Sequence, residues 1–402
     1  VSESLAPLIS SALAAWQANR LDEARALLNE AADEAPDNGR VWELLARLCL
    51  WQGDAEAAGL FCAESLALDP GNPDFRILAE EIRWRAGRPA EALAGLSGLC
   101  ENNDAVAVAA AILGDLPLTF ECQPDAGLTS LLKRAARKMA TDGNPSAAGD
   151  WFHWLAKRHP DDPNIHCDLL AATVQVITDA INLGRLLPIS DIVRLRLAIL
   201  SFRTARRLAP GQANLWRNLG TLLATLAPRT AWRTDIKAAE AHCVARWLNI
   251  EQESAQARSA VADIFYSSRN LNGAAEVLFG RLIPCGAGWD EEPLDSFLER
   301  LDQALKTVET NLEAPPSADR ASETGIILAE IGFTQESVTA LVLAANSAPD
   351  SPSHRERLAE IMTRNRLLEE AAAHFTGRPT VPLQPLVLPP PDHAVRLTPH
   401  SR

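Results

Sequence analysis

Apolar and small residues recur along the first hundred positions of this chain with a period of 34. Ala24, Ala58 and Ala92 mark the period, and so do Pro36 and Pro70. Leu8, Trp42 and Arg76 share one register, and Trp16, Leu50 and Trp84 share another. A fixed period of this length is the mark of one supersecondary unit used again and again. Helical elements are predicted along it. The apolar stretch Leu5 to Trp16 is a helix of the first unit, Ala105–Leu113 forms one short helix, and Leu294–Leu312 reads as an amphipathic helix.

The second unit is the most complete. It reads Trp42-x-x-Leu45-Ala46-x-x-Cys49, then Gly53, Ala58, Cys62, Ser65 and Pro70. This resembles the tetratricopeptide repeat, whose pattern is W-x2-L-G-x2-Y, then A-x3-F, then P. The resemblance implies a helical hairpin per unit. Such a hairpin cannot bury its own apolar face and needs stacked neighbours. The fold class it implies is all-α, a right-handed solenoid of about nine tetratricopeptide-type hairpins with irregular insertions and a Pro-rich C-terminal tail.

On that register, units one to three fill residues 1–100, as 5–38, 39–72 and 73–99. Pro89 opens a second helix, where its missing amide costs nothing. Residues 101–127 read as an irregular insertion. Residues 128–283 hold central, basic units, with Ala135, Ala148 and Phe152 in the fourth and Ala198, Phe202 and Pro210 in the fifth. Trp216-x-x-Leu219-Gly220-x-x-Leu223 opens the sixth, and the seventh, over 254–283, is degenerate. Residues 284–377 carry a Gly/Pro loop to Pro293, the amphipathic helix and two further units, the last with Leu358, Ala371 and Phe375. Residues 378–402 form an extended tail, in which Pro379, Pro382, Pro385 and Pro389 to Pro391 alternate with Leu383, Leu386, Val387 and Leu388. It is too apolar for a mere spacer and reads as a docking segment.

Composition narrows the class without naming a reaction. A hydrophobic fraction of 47% with 22% charged residues is ordinary for a folded chain. Alanine is abundant and Arg outnumbers Lys by 33 to 5, a bias that suits a GC-rich bacterial genome. No run approaches the roughly 18 apolar residues of a membrane span, and no secretory signal is visible although the first residue is Val. Seven cysteines without a C-x-x-C spacing are expected to be reduced, which points to the cytoplasm. The net charge of −14 is unevenly spread: residues 1–127 carry 8 basic and 21 acidic side chains, whereas 128–247 carry 17 and 9. A basic middle, with Lys133, Arg134, Arg137 and Lys138, steers an acidic partner or is a solvated outer face.

In proteins of this repeat family the first helices line a concave groove that holds peptides or helices. Carried onto this chain, the inner positions include Arg40, Glu43, Arg47, Trp51, Ile77, Glu81, Trp84, Arg85, Lys133, Arg137 and Arg217. Aromatics beside arginines suit an interaction surface. The tryptophans Trp16, Trp51 and Trp84 either face that groove or pack between helices, while Trp42 and Trp216 match the family's structural position. A Lys/Asn carboxylate clamp is not predicted, since only Lys133 with Arg137 and Arg217 with Asn218 approach it.

Chemistry is thin. His153, His159, His166 and Cys167 gather near Asp161 and Asp162, but neither a zinc-finger spacing nor H-E-x-x-H is present. Phosphate loops, nucleophile elbows and nucleic-acid modules are missing too, and Cys285-Gly-Ala-Gly288 reads as a plain loop. No catalytic residue, metal or cofactor is expected. The sequence reading is a non-enzymatic scaffold or adaptor, cytoplasmic and bacterial, that holds a protein in its groove and uses the tail as a second docking element. The alternative is an accessory or substrate-docking subunit of a glycosyl-, sulfo- or methyltransferase whose catalytic domain lies elsewhere.

Overall fold

The turns between helices are set by one repeated position. Asn19, Gly53 and Gly87 stand 34 residues apart, and all three have positive φ, at 59°, 83° and 80°. Each ends a first helix by letting the next amide bond back five residues, as Asp54 N does to Cys49 O at 2.9 Å. Glycine adopts that conformation freely and asparagine is the side chain that tolerates it best. The computed structural model describes residues 5–118, 124–267, 271–278 and 292–364. Among them there are helices and turns and no strand. The chain divides into two units, residues 1–147 and 148–402.

The first unit runs through α1 (Leu5–Gln17), α2 (Leu21–Glu34), α3 (Gly39–Trp51), α4 (Ala55–Leu68), α5 (Pro73–Arg85), α6 (Pro89–Leu96), α7 (Asn103–Asp115) and α8 (Ala126–Thr141). Short polar side chains start the helices: Asn38 accepts from Arg40 N, Asp54 from Ala57 N and Asp125 from Leu128 N. Pro73 and Pro89 occupy the first turns of α5 and α6. The 34-residue alanines lie where second helices meet first helices, and Ala24, Ala58 and Ala92 are fully buried there. The stretch 101–127, expected to be irregular around a short helix, contains α7, which packs against α5, α6 and α8. Each helix of this unit touches near neighbours in sequence, as a stack of hairpins should.

The second unit begins within α9 (Pro145–Arg158). It continues through α10 (Pro163–Asn182), α11 (Ile189–Leu208), α12 (Ala213–Leu226), α13 (Arg233–Ile250), α14 (Ala255–Ser267), α15 (Leu271–Leu278), α16 (Glu292–Glu313), α17 (Ala318–Ile331), α18 (Thr334–Ser347) and α19 (Pro352–Arg364). Hairpins α10/α11 and α12/α13 stack, and α16 lies across α11 and α13. Leu294, Leu298, Leu301, Leu305 and Val308, spaced four and three apart, form its buried seam. Contacts in this unit also leap along the chain. Leu187 N donates to Glu336 Oε1 at 2.7 Å, and Thr230 Oγ1 and Ala231 N both donate to Glu330 O, at 2.7 and 2.9 Å. Three turns therefore meet, those after α10, α12 and α17. The expected Gly/Pro loop as far as residue 291, Ala371, Phe375 and the tail 378–402 lie outside the described residues.

Candidate partner-binding groove

The 34-residue register brings equivalent positions of successive first helices side by side. Arg47 and Glu81 are one such pair, Trp51 and Arg85 another, and Trp16 and Leu50 a third. Together with Gly53 and Ala55 they line an open hollow of about 520 Å³ on the first-helix side of the first unit. Four of the predicted partner-binding residues, Arg47, Trp51, Glu81 and Arg85, thus share one site. Trp51 is 71% exposed. It stands one residue beyond the register of Trp16 and Trp84, and that step turns its ring outward. Trp16 is half-buried against the core formed by α1 to α3. Trp84 is also half-buried, with the Arg85 guanidinium 4.3 Å above its ring, a cation–π contact that fixes Arg85 at the rim.

Glu43 departs from its predicted role. It is 1% exposed, beneath the surface, and bonds both Arg40 and Arg47, the latter through Nε at 2.8 Å. A carboxylate so covered meets no partner; it holds the Arg47 guanidinium in place. Ile77, also expected on the inner face, is buried in the core. Lys133 and Arg137 lie on α8 and do not line this hollow. Their neighbour Arg134 is engaged by Glu101 and Asn103, at 2.9 and 3.0 Å, and by the carbonyl of Cys100. Arg217 lies on α12 and lines a separate hollow within the second unit.

Two groups of residues acquire a purely structural account. Trp42 Nε1 donates to Pro36 O at 2.8 Å and Trp216 Nε1 to Pro210 O at 2.9 Å. His166 Nε2 meets Pro160 O at 2.9 Å, six residues back in every case, while its Nδ1 faces Ser201 Oγ at 3.3 Å. The histidine thus stands in the structural tryptophan's place. Among the described residues no three His, Cys, Asp or Glu side chains are gathered as metal ligands.

Sequence reasoning missed where the basic middle finds its acids. On α11, Arg196 pairs with Asp302 and Glu309 at 3.0 and 2.5 Å, and Arg206 pairs with Asp295 at 2.8 Å. Arg203 reaches Asp302 at 4.0 Å, and Arg194 is held by Asp150 and Asp191. For α11 the acidic partner is therefore largely α16 of the same chain. The signal was present, since Asp295, Asp302 and Glu309 are seven residues apart, as are Arg196 and Arg203.

No described helix is long and apolar enough to cross a membrane. A search of curated proteins returns no match. Among solved structures, the chain is similar to a tetratricopeptide repeat protein from Parabacteroides merdae at 11% identity, covering 81% of this chain and 98% of that one, with a TM-score of 0.29. It is also similar to yeast Tom70 (11% identity, 93% and 91% covered, TM-score 0.26) and to a human IFIT1 dimer with m7Gppp-AAAA (11%, 94% and 90%, 0.30). The family model described as "Tetratricopeptide repeat" matches residues 10–73. That match falls on the 34-residue echo that α1 to α4 turn into stacked hairpins, so it is residues 10–73 that match the tetratricopeptide repeat.

Proposed function

We propose that this chain is a non-enzymatic interaction scaffold that holds a segment of a partner protein in the groove of its first unit. The observation that carries the reading is the exposed Trp51 ring set among Arg47, Glu81 and Arg85 in one hollow. Large aromatic side chains are normally covered in a folded protein, and Trp and Arg are the types that concentrate binding energy at interfaces. The rim can meet carboxylates and donors of a partner while the ring covers a proline or aliphatic side chain. Residues 378–402, with their alternating prolines and aliphatics, are the second docking element of the proposal. The arginine and alanine bias supports a bacterial source, and the unpaired cysteine pattern supports a cytoplasmic setting.

Trp51→Ala tests the reading. Partners retained by immobilised wild-type protein from the source cells should be lost or reduced roughly tenfold, with the thermal unfolding temperature unchanged because the ring is exposed. Full retention of every partner by Trp51→Ala and by the double variant Arg47→Ala/Arg85→Ala would overturn it.

A further inference from the structure

The second unit holds a hollow of about 410 Å³ where the end of α16, the first turns of α17 and one face of α18 meet. Its walls are largely apolar, with Ile189, Leu312, Pro316, Ala321, Ala340 and Leu343 among them. Leu343 is 37% exposed, although Leu341 and Ala344 beside it on α18 are fully buried. Ala340, Leu343 and Ser347 follow one face of α18 over about 10 Å. Both helices of the α17/α18 hairpin build this hollow, whereas first helices alone build the groove of the first unit.

The polar groups at its edge are already engaged. Asn311 Nδ2 donates to Glu323 Oε2 at 3.0 Å, the Arg320 guanidinium donates to Pro315 O, and Ser317 Oγ accepts from Arg320 N at 3.3 Å. A charged or amide-rich occupant would leave its own groups unmet here, and burying such groups without partners is costly. The occupant that fits is aliphatic and poor in backbone donors. Residues 381–391 of this chain have that chemistry. Val381, Leu383, Leu386, Val387 and Leu388 stand among Pro382, Pro385, Pro389, Pro390 and Pro391, with no charged side chain in the run. Proline carries no backbone N–H. Polyproline conformation has three residues per turn and a rise of about 3.1 Å, so it would set Leu383 and Leu386 on one edge about 9 Å apart.

We infer that residues 381–391 dock in this hollow of their own chain, with Leu383 and Leu386 seated along Ala340, Leu343 and Ser347. The connection is long enough. The packed neighbours α18 and α19 are joined by the turn 348–351, so α19 starts beside Ser347 and its last residue, Arg364, lies about 18 Å farther on. Residues 365–380 lead from there to Val381. They would cover about 24 Å even as a helix and about 50 Å if extended. A tether of that length gives an effective concentration on the order of millimolar, so an intrinsic Kd of about 0.1 mM keeps the tail about nine-tenths docked. A docked tail is withheld from a partner until it is displaced. That regulatory consequence rests on the proposed role of the tail in partner docking; the docking itself does not, and the groove of the first unit plays no part in it.

Two measurements on the full chain test it. With the photo-cross-linker p-benzoylphenylalanine in place of Leu386, illumination should join position 386 to residues 311–324 or 340–347 of the same chain, read by mass spectrometry of the monomer band. Leu343→Arg and Ser347→Trp, both at exposed positions, should each cut that yield at least roughly tenfold by charge or by bulk, with the thermal unfolding temperature unchanged. In the second measurement a labelled peptide of residues 378–391 is titrated by fluorescence anisotropy. It should bind the chain carrying Leu383→Asp/Leu386→Asp with a Kd of about 0.1 mM, and wild type about tenfold more weakly because the wild-type tail already fills the hollow. Trp51→Ala should change neither result, so a failure of the first-unit groove is told apart from a failure here. The inference is overturned if the tail variant binds no peptide up to ~1 mM, if wild type and tail variant bind it equally, or if the cross-links fall outside the hollow. Cross-links found only between copies, in the dimer band, would overturn it in favour of a second copy as the occupant.

Discussion

At the scale of single residues, the repeat is read through side chains that bond the preceding loop. Trp216 is buried, packs edge-on against Phe202 and His242, and donates to Pro210 O. Trp216→Phe removes that bond and part of the ring, and should cost about 2 kcal/mol of stability in a urea titration. The half-buried Trp42 makes the equivalent bond, and Trp42→Phe should cost about 1 kcal/mol. Sequence alone identified both tryptophans as structural, because the family pattern fixes that position. It did not identify His166, since a histidine beside His159 and Cys167 reads as ligand chemistry until the Pro160 carbonyl is seen next to it. His153 has a different consequence. Burial, with Lys157 and then Arg194 nearby, pulls its pKa below the ordinary 6.5. A histidine with a lowered folded value contributes its stability in full above 6.5, and that contribution is lost as pH falls through the folded value. Asp150 and Asp191 act in the opposite sense. Burial raises both against the pull of Arg194, so their weight against folding lifts on acidification. The histidine's part is isolated by His153→Gln. Its melting temperature should fall less than that of the wild type between pH 7.5 and about 5.5, and equal falls would show that His153 does not titrate in this window.

At the scale of elements, the helices of the first three units were legible because caps, turn glycines and buried alanines all repeat together. The candidate site was legible in part. The register brings Arg47, Trp51, Glu81 and Arg85 to one hollow, but it could not tell Trp51, facing out, from Trp84, covered by Arg85, because one residue of offset on a helix is a rotation of about 100°. Nor does register report depth, which is why Glu43 looked like a contact. The pairing of α11 with α16 was hidden for a different reason: it joins helices about a hundred residues apart, and a period of 34 carries no information about it. That pairing makes an ordered prediction. Asp302 is shared by Arg196 and Arg203 and is largely covered, whereas Asp295 is about half exposed and serves Arg206 alone. Asp302→Asn should therefore destabilise by about 1–2 kcal/mol and Asp295→Asn by less than about 1 kcal/mol. Chemical denaturation in urea at low and high salt measures both, and the Asp295 effect should shrink more as salt screens it. Equal costs at both positions would mean that the ladder is not shared as drawn.

At the scale of the whole molecule, the two units differ in how far their contacts reach. In the first, each described helix meets partners near it in sequence, so disturbance should spread only to adjacent hairpins. In the second, the turn after α17 is bonded to the turns after α10 and α12, and Glu330, Gly332 and Glu336 carry that junction. Two glycines on equivalent helix ends allow a matched comparison. Gly53 has φ 83° and open space where a Cβ would go, so Gly53→Ala meets only the intrinsic cost of the left-handed region, about 1 kcal/mol. Gly332 has φ 111°, and a Cβ there would stand 3.0 Å from backbone atoms of Arg229 and Thr230, which cannot swing aside as a side chain would. Gly332→Ala should therefore cost about 3 kcal/mol. Native-state hydrogen exchange on the full chain then reads the spread. With Gly53→Ala, faster exchange should be confined to α3, α4 and the helices touching them. With Gly332→Ala it should appear in α17 and α18 and also in α10 to α13, about eighty residues and more from the substitution. Exchange that quickens only in α17 and α18 would show that the three-turn junction does not couple them, and that the second unit opens hairpin by hairpin like the first.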